Sequence, residues 1–167
     1  MSAATPTTLD GFDRKILGIL QLANRTTSEQ IADQVGLSAA AVQRRIKRLR
    51  ADGIIQADVS VVNAKAVGRG LTLLVQVSLE RERVDLMDAF KKTMRQWDEV
   101  QQCYYVTGAF DFMLVVTATD MEDYERFTRK AFFDNTNVRN FQTHVVMDSV
   151  KVGLHIPISE MVDDRSS

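Results

Sequence analysis

The sequence predicts an α+β chain in two units: three short helices closed by a two-stranded wing, then a βαββαβ sandwich of two helices on one antiparallel sheet. Three observations predict it. Apolar residues recur at helical spacing through residue 50, and from Leu71 the pattern changes to strands alternating with two helical segments. Charge divides at the same place. Residues 1–69 hold 10 Lys and Arg against 6 Asp and Glu, residues 70–167 hold 11 against 16, and a net charge of −1 therefore conceals a front of +4 and a back of −5. A positive front suits phosphate groups and the acidic back repels them, which confines any nucleic-acid contact to the front.

At 167 residues, 45% hydrophobic and 26% charged, the composition is that of a globular chain forming one domain or two small ones. Residues 1–8 read as a loose arm and residues 159–167 as a polar tail. The single cysteine, Cys103, excludes an internal disulfide and a multi-cysteine metal site, and His144 and His155 are too few for a histidine cluster. The opening MSAATPTT has neither a basic segment nor an apolar one, and no run approaches membrane-spanning length, so a cytoplasmic protein with no membrane partner is expected.

Asp10 can cap a first helix that buries Phe12, Ile16, Leu17 and Leu20. Thr27 and Gln30 stand at capping-box spacing ahead of Ile31, Ala32 and Val35, and Gly36 offers a left-handed exit. Ser38 then caps a third helix with Val42, Ile46 and Leu49 on one stripe. Off that stripe lie Ala39, Ala40, Gln43, Arg44, Arg45, Lys47, Arg48 and Arg50, with no acid among them. Small residues let a helix approach a groove floor, Gln and Arg offer paired hydrogen bonds to base edges, and the later cations suit phosphates. The pattern is a helix-turn-helix with residues 38–50 as recognition helix, its DNA contacts expected from Ser38, Ala40, Gln43, Arg44, Arg45, Lys47, Arg48 and Arg50. A merely solvated face would normally mix both signs. Asp52-Gly53 stops the helix, and residues 54–55 with 59–62 read as the wing, giving a winged helix-turn-helix over residues 9–62. Residues 63–70, with two glycines and no strong period, read as a linker.

The second unit, residues 71–158, opens with a strand at 71–79 and a helix at 84–96 burying Leu86, Ala89, Phe90 and Thr93 or Met94. Strands at 100–106 and 112–117 flank the turn Thr107-Gly108-Ala109-Phe110-Asp111. A helix at 121–133 then turns Tyr124, Phe127 and Ala131 inward, and a last strand occupies 141–150. The order βαββαβ is a ferredoxin-like sandwich. Its strands carry apolar groups on both faces, which implies that a second copy covers the open face, most simply in a two-fold dimer.

The motifs LDGFDRKIL at 9–17, IADQVGLS at 31–38, VQRRIKRL at 42–49, DGII at 52–55 and VTGAFDFML at 106–114 together resemble the Lrp/AsnC family, the leucine-responsive and asparagine regulators also called feast/famine proteins. The resemblance covers residues 9–158 and implies a transcription regulator whose front unit binds double-stranded DNA. It implies a second unit that dimerises through its sheet, assembles further, commonly to octamers, and binds an amino acid between dimers beside the VTGxxD hairpin. Carried over by position, the effector residues are Tyr105, Thr107, Gly108, Asp111, Met121, His144, Val145 and Val146. Ala109 stands where relatives commonly carry an acidic or polar residue.

Read from the residues alone, Asp111 serves as well as a hairpin cap, Met121 as packing, and Tyr105 as an interface aromatic. An enzyme is the competing class, but no Cys/His pair, metal cluster or phosphate-cradling glycine loop supports one, and neither cofactor nor metal is expected. A ligand-independent architectural DNA-organising protein of the same fold is the remaining alternative; in either case the nucleoid is the expected location.

Overall fold

The computed structural model describes residues 8–158, and their contacts divide into two compact units: the chain up to Ser60 joined by the segment from Val152, and Val61–Lys151.

In the front unit α1 (Gly11–Leu22) begins at Asp10, whose carboxylate accepts the Asp13 amide while Asp13 accepts the Asp10 amide, a reciprocal cap. α2 (Ser28–Val35) starts the same way from Thr27 and Gln30 and ends where Gly36 takes φ 74°, a left-handed conformation that closes the helix at little cost only for glycine. α3 (Ala39–Ala51) is capped by the Ser38 hydroxyl, which accepts the Ala41 amide at 3.2 Å. Ile16, Ile31, Ala32, Val35, Val42 and Ile46 interlock as the core of this unit, and Leu49 is fully buried. The Thr27 hydroxyl accepts the Gln30 amide at 3.3 Å, one of the amides that the first turn of a helix leaves without a backbone partner. Thr27→Ala is expected to lower stability by about 1 kcal/mol, measured by urea unfolding.

Two expectations fail here. Phe12 is 40% exposed and lies beneath the Arg45 guanidinium, 5.4 Å from its ring centre, instead of in the core. The strand pair of the wing is not formed: the amides of Ile54 and Ile55 both donate to the Leu49 carbonyl, at 2.9 and 3.0 Å, and finish α3. With those amides occupied, residues 59–62 have no partner strand, and Val59, Val61 and Val62 remain exposed.

The expected linker is ordered. Asn63 accepts the amides of Lys65 and Ala66 to start a single 3-10 turn, Lys65–Val67, and Arg69 donates to the Thr117 hydroxyl and carbonyl at 3.1 and 2.6 Å. The second unit then runs β1 (Leu71–Leu79), α4 (Val84–Met94), β2 (Val100–Tyr105), β3 (Phe112–Ala118), α5 (Met121–Thr128) and β4 (Val138–Val145). A wider π turn, Arg129–Phe133, extends α5. The sheet order is β2-β3-β1-β4 with every pair antiparallel, the ferredoxin-like arrangement.

Alternation along β1 and β3 decides what each face does. Leu73, Val75, Val77, Phe112, Leu114 and Val116 are fully buried against the helices, where Phe90, Met94, Tyr124, Phe127 and Phe132 meet them. On the other face Leu74 and Tyr104 stay exposed and Met113 and Val115 half-buried.

α4 differs in detail from the sequence reading: Phe90 and Met94 carry its burial, Leu86 is half-buried, and Ala89 is exposed with its carbonyl taken by the Thr93 hydroxyl. β4 occupies Val138–Val145 and not 141–150, because β1 offers partners only as far as Leu73 opposite Val145, after which the Val146 amide makes one last bond to Thr72. The chain then leaves the sheet. The Gln21 carboxamide both donates to the Ile156 carbonyl at 3.1 Å and accepts its amide at 2.9 Å, so Val152–Ile158 falls with the front unit and not with residues 71–151 as expected.

Candidate nucleic-acid interface and effector site

Eight residues were expected to face DNA, and the structure separates them into three groups. Ser38, Ala40, Gln43, Arg44 and Lys47 lie exposed along the outer side of α3. Among the described residues Arg44 and Lys47 make no hydrogen bond or ion pair. Gln43 and Lys47, with Arg50, line one wall of a 430 Å³ groove whose other wall is Asn24, Thr26, Thr27 and Ser28, at the turn into α2. Arg50 also pairs with Asp58 at 2.9 Å, but both side chains are nearly half exposed, and an ion pair in that setting is worth little.

Arg45 and Arg48 reach toward α1 instead, with 24% and 44% of their side chains exposed. Arg45 donates to Asp13 at 2.8 Å and to Asp10 at 2.7 Å, and Arg48 donates to the second oxygen of Asp13. Asp13 is fully buried, so the two guanidiniums supply the counter-charge that its burial demands. Burial acts to raise the Asp10 pKa, but the Asp13 amide and the Arg45 guanidinium outweigh it and hold the carboxyl below its ordinary value. The Asp13 and Asp10 carboxylates push the Arg45 pKa up. The run of cations without acids that marks the sequence of α3 is thus partly neutralised from α1, a pairing across 32 to 35 residues that no local pattern reveals.

The expected effector residues also divide. In the hairpin between β2 and β3 the Val106 amide donates to the Asp111 carbonyl, the Asp111 amide to the Val77 carbonyl, and the Leu79 amide to the Asp111 carboxylate at 2.6 Å. Gly108 crosses the tip at φ 127°, with Thr107 and Gly108 exposed. Tyr105 enters this end with its ring 5.3 Å from that of Phe112. Met121, His144, Val145 and Val146 lie at the opposite end of the sheet, beside Leu71–Leu73 and Ala118. Six steps along β1 separate the pairing of Leu73 with Val145 from the bond of Leu79 to Asp111, a span of roughly 20 Å at 3.3 Å per residue. One copy of the chain does not bring the two groups together.

Beside Tyr105 a cavity of 520 Å³ opens between α4 and β2, lined by Lys91, Arg95, Gln101 and Gln102 over an apolar floor of Met94, Val100, Cys103 and Phe112. Burial pushes the Cys103 thiol pKa up, against the pull of Arg95 and Lys91. Lys91 sits 5.3 Å from the Tyr105 ring centre. Neither cation was picked out from the sequence, because both lie on a helix whose period shows only its buried side. Among the described residues no three His, Cys, Asp or Glu side chains converge as a metal site, and no helix is long and apolar enough to cross a membrane.

Known proteins match both units. The profile of the winged helix-turn-helix DNA-binding family matches residues 9–56, and that of the Lrp/AsnC ligand binding domain matches residues 72–155. An uncharacterised HTH-type transcriptional regulator of Sinorhizobium fredii is 55% identical, covering 90% of this chain and 89% of its own. The leucine-responsive regulatory protein of Escherichia coli is 31% identical over 86% and 87% of the two chains. A transcriptional regulator of Neisseria meningitidis, solved in complex with L-methionine, superposes with a TM-score of 0.86 at 30% identity, covering 93% of this chain and all of that one. With a DNA-reading helix in front and an Lrp/AsnC ligand-binding sandwich behind it, the chain belongs to the Lrp/AsnC family of transcription regulators.

Proposed function

We propose that this regulator reads a specific double-stranded DNA site with paired recognition helices, that its sheet units join it into dimers and higher assemblies up to an octamer, and that an amino acid adjusts the pairing. It acts in the cytoplasm, on the nucleoid, and catalyses no reaction. The observation that carries the ligand reading is the separation of the Gly108 hairpin from the β4 terminus: a small effector in contact with both groups must lie between copies, so occupancy and assembly are coupled. The exposed Leu74 and Tyr104, beside half-buried Met113 and Val115, give the sheet an apolar face for a second copy. The relative from Neisseria meningitidis was solved with L-methionine, which supports an amino acid as the ligand class.

On the DNA side this reading gives base edges to Gln43 and Arg44 and phosphates to Lys47 and Arg50, supported by their exposure along the outer side of α3. Arg50→Ala is expected to lower the dependence of log affinity on log salt concentration by about 0.9 for each protomer engaged, and an unchanged slope would remove Arg50 from the interface. The ligand reading is tested by native mass spectrometry of the full chain with each of the twenty amino acids. At least one is expected to shift the distribution between dimer and larger assemblies. A flat response to all twenty would favour the ligand-independent architectural role.

A further inference from the structure

We infer that Asp13 is a positioning residue for DNA reading: it holds Arg45 and Arg48 away from the DNA and uses them to fix the rotation of α3 about its own axis. Three features of the front unit carry this. First, Asp13 is fully buried and both of its oxygens are engaged by guanidiniums three residues apart on α3, so the carboxylate grips the helix at two successive points along its flank. Second, Asp13 is itself fixed, because its backbone amide is held by the Asp10 carboxylate at 2.8 Å and Asp10 also accepts from Arg45. Third, Arg45 lies over the Phe12 ring, so its stem and plane are confined as well as its charge.

A planar guanidinium bonded to a fixed carboxylate resists rotation in a way that apolar contacts do not, since hydrogen bonds weaken steeply with angle. The consequence falls on the exposed side of the same helix. With side chains at about 5–6 Å from the axis, a 10° rotation of α3 moves their tips by roughly 1 Å, enough to spoil a paired hydrogen bond from Gln43 or Arg44 to a base edge. Arg45 and Arg48 therefore serve specificity without touching DNA, and the cations left to meet phosphate from this helix are Lys47 and Arg50.

The test compares the full chain and its variants on two duplexes of equal length, one selected in vitro with the wild-type protein and one scrambled, each across a range of salt concentrations. Arg45→Gln and Arg48→Gln are expected to keep the wild-type salt slope on the scrambled duplex while lowering the preference for the selected one about tenfold. Lys47→Gln is expected to lower the slope by about 0.9 per protomer and to leave the preference nearly unchanged. Asp13→Asn, which removes the charge shared by the two guanidiniums and one of their two acceptor oxygens, is expected to steepen the slope and lose the same preference. A slope that falls for Arg45→Gln and Arg48→Gln as it does for Lys47→Gln overturns the inference, as does an unchanged preference in both. Should Asp13→Asn fail to fold by circular dichroism, the two arginine variants decide the matter alone.

Discussion

Replacing Arg44 by alanine is expected to cut the discrimination between a selected duplex and a scrambled one by about 1–3 kcal/mol for each recognition helix engaged, with little change in the salt dependence that remains. Arg44 is exposed on the outer side of α3, one turn behind the small residues Ala39 and Ala40 that let the helix approach a groove floor, and its charge is not already committed. A guanidinium in that position can donate two parallel hydrogen bonds to one guanine, and no other base presents the same pair of acceptors. Gln43→Ala belongs to the same experiment, since an amide presents a donor and an acceptor to adenine. An equal loss on both duplexes, with a shallower salt slope, would reassign Arg44 to a phosphate.

Arg44 differs from Arg45 and Arg48 in that their guanidiniums are paired with Asp13 and its own is not, a distinction that no local pattern carries. Caps and stops are local: Thr27 with Gln30, Gly36, Ser38 and Asp52-Gly53 are decided within four residues, and each stands where its spacing puts it. The order βαββαβ is equally legible, because burial on one face imposes a period that survives in a single sequence. What the sequence concealed is long-range. Arg45 and Arg48 look like their neighbours until Asp13 is folded against them, and Asp13 looks like a first-turn acid that favours a helix N-terminus. The strand pair expected at residues 54–55 and 59–62 is not formed for a related reason: β propensity at Ile54 and Val59–Val62 is real, but the Leu49 carbonyl competes for the first amides and takes them. The end of β4 is set by the length of β1 and not by its own residues, since apolar alternation continues through Val150, Val152 and Leu154 with nothing to pair against.

The effector site shows the same limit from the other side. Motif position gave a single set of residues, and the fold distributes them to two ends of a sheet, which turns the role of Asp111 into a question that one pair of variants can answer. Its carboxylate accepts the Leu79 amide at 2.6 Å, closing the hairpin onto β1, and the Asp111 amide donates in turn to Val77. Asp111→Ala leaves the Leu79 amide without its acceptor and is expected to cost about 1.5–3 kcal/mol of stability, the range for a hydrogen bond to a charged group, measured by urea unfolding.

Asp111→Asn separates structure from binding. Its amide oxygen can still accept from Leu79, so the fold should lose about 1 kcal/mol or less, while the negative charge that would meet an α-ammonium group is gone. If Asp111 contacts the effector, the asparagine variant unfolds nearly as wild type yet no longer changes its assembly with the responsive amino acid. A variant that keeps the full response confines Asp111 to the hairpin.

Gly108→Asp provides the control for shape. An added Cβ would meet open space, so the cost comes from φ 127° alone, a conformation that L side chains rarely adopt and that carries about 1–3 kcal/mol of strain. A hairpin relaxed away from that angle presents different amides at its tip. Loss of response in Gly108→Asp together with a full response in Asp111→Asn would place recognition in the backbone of the turn and leave the carboxylate its structural bond alone.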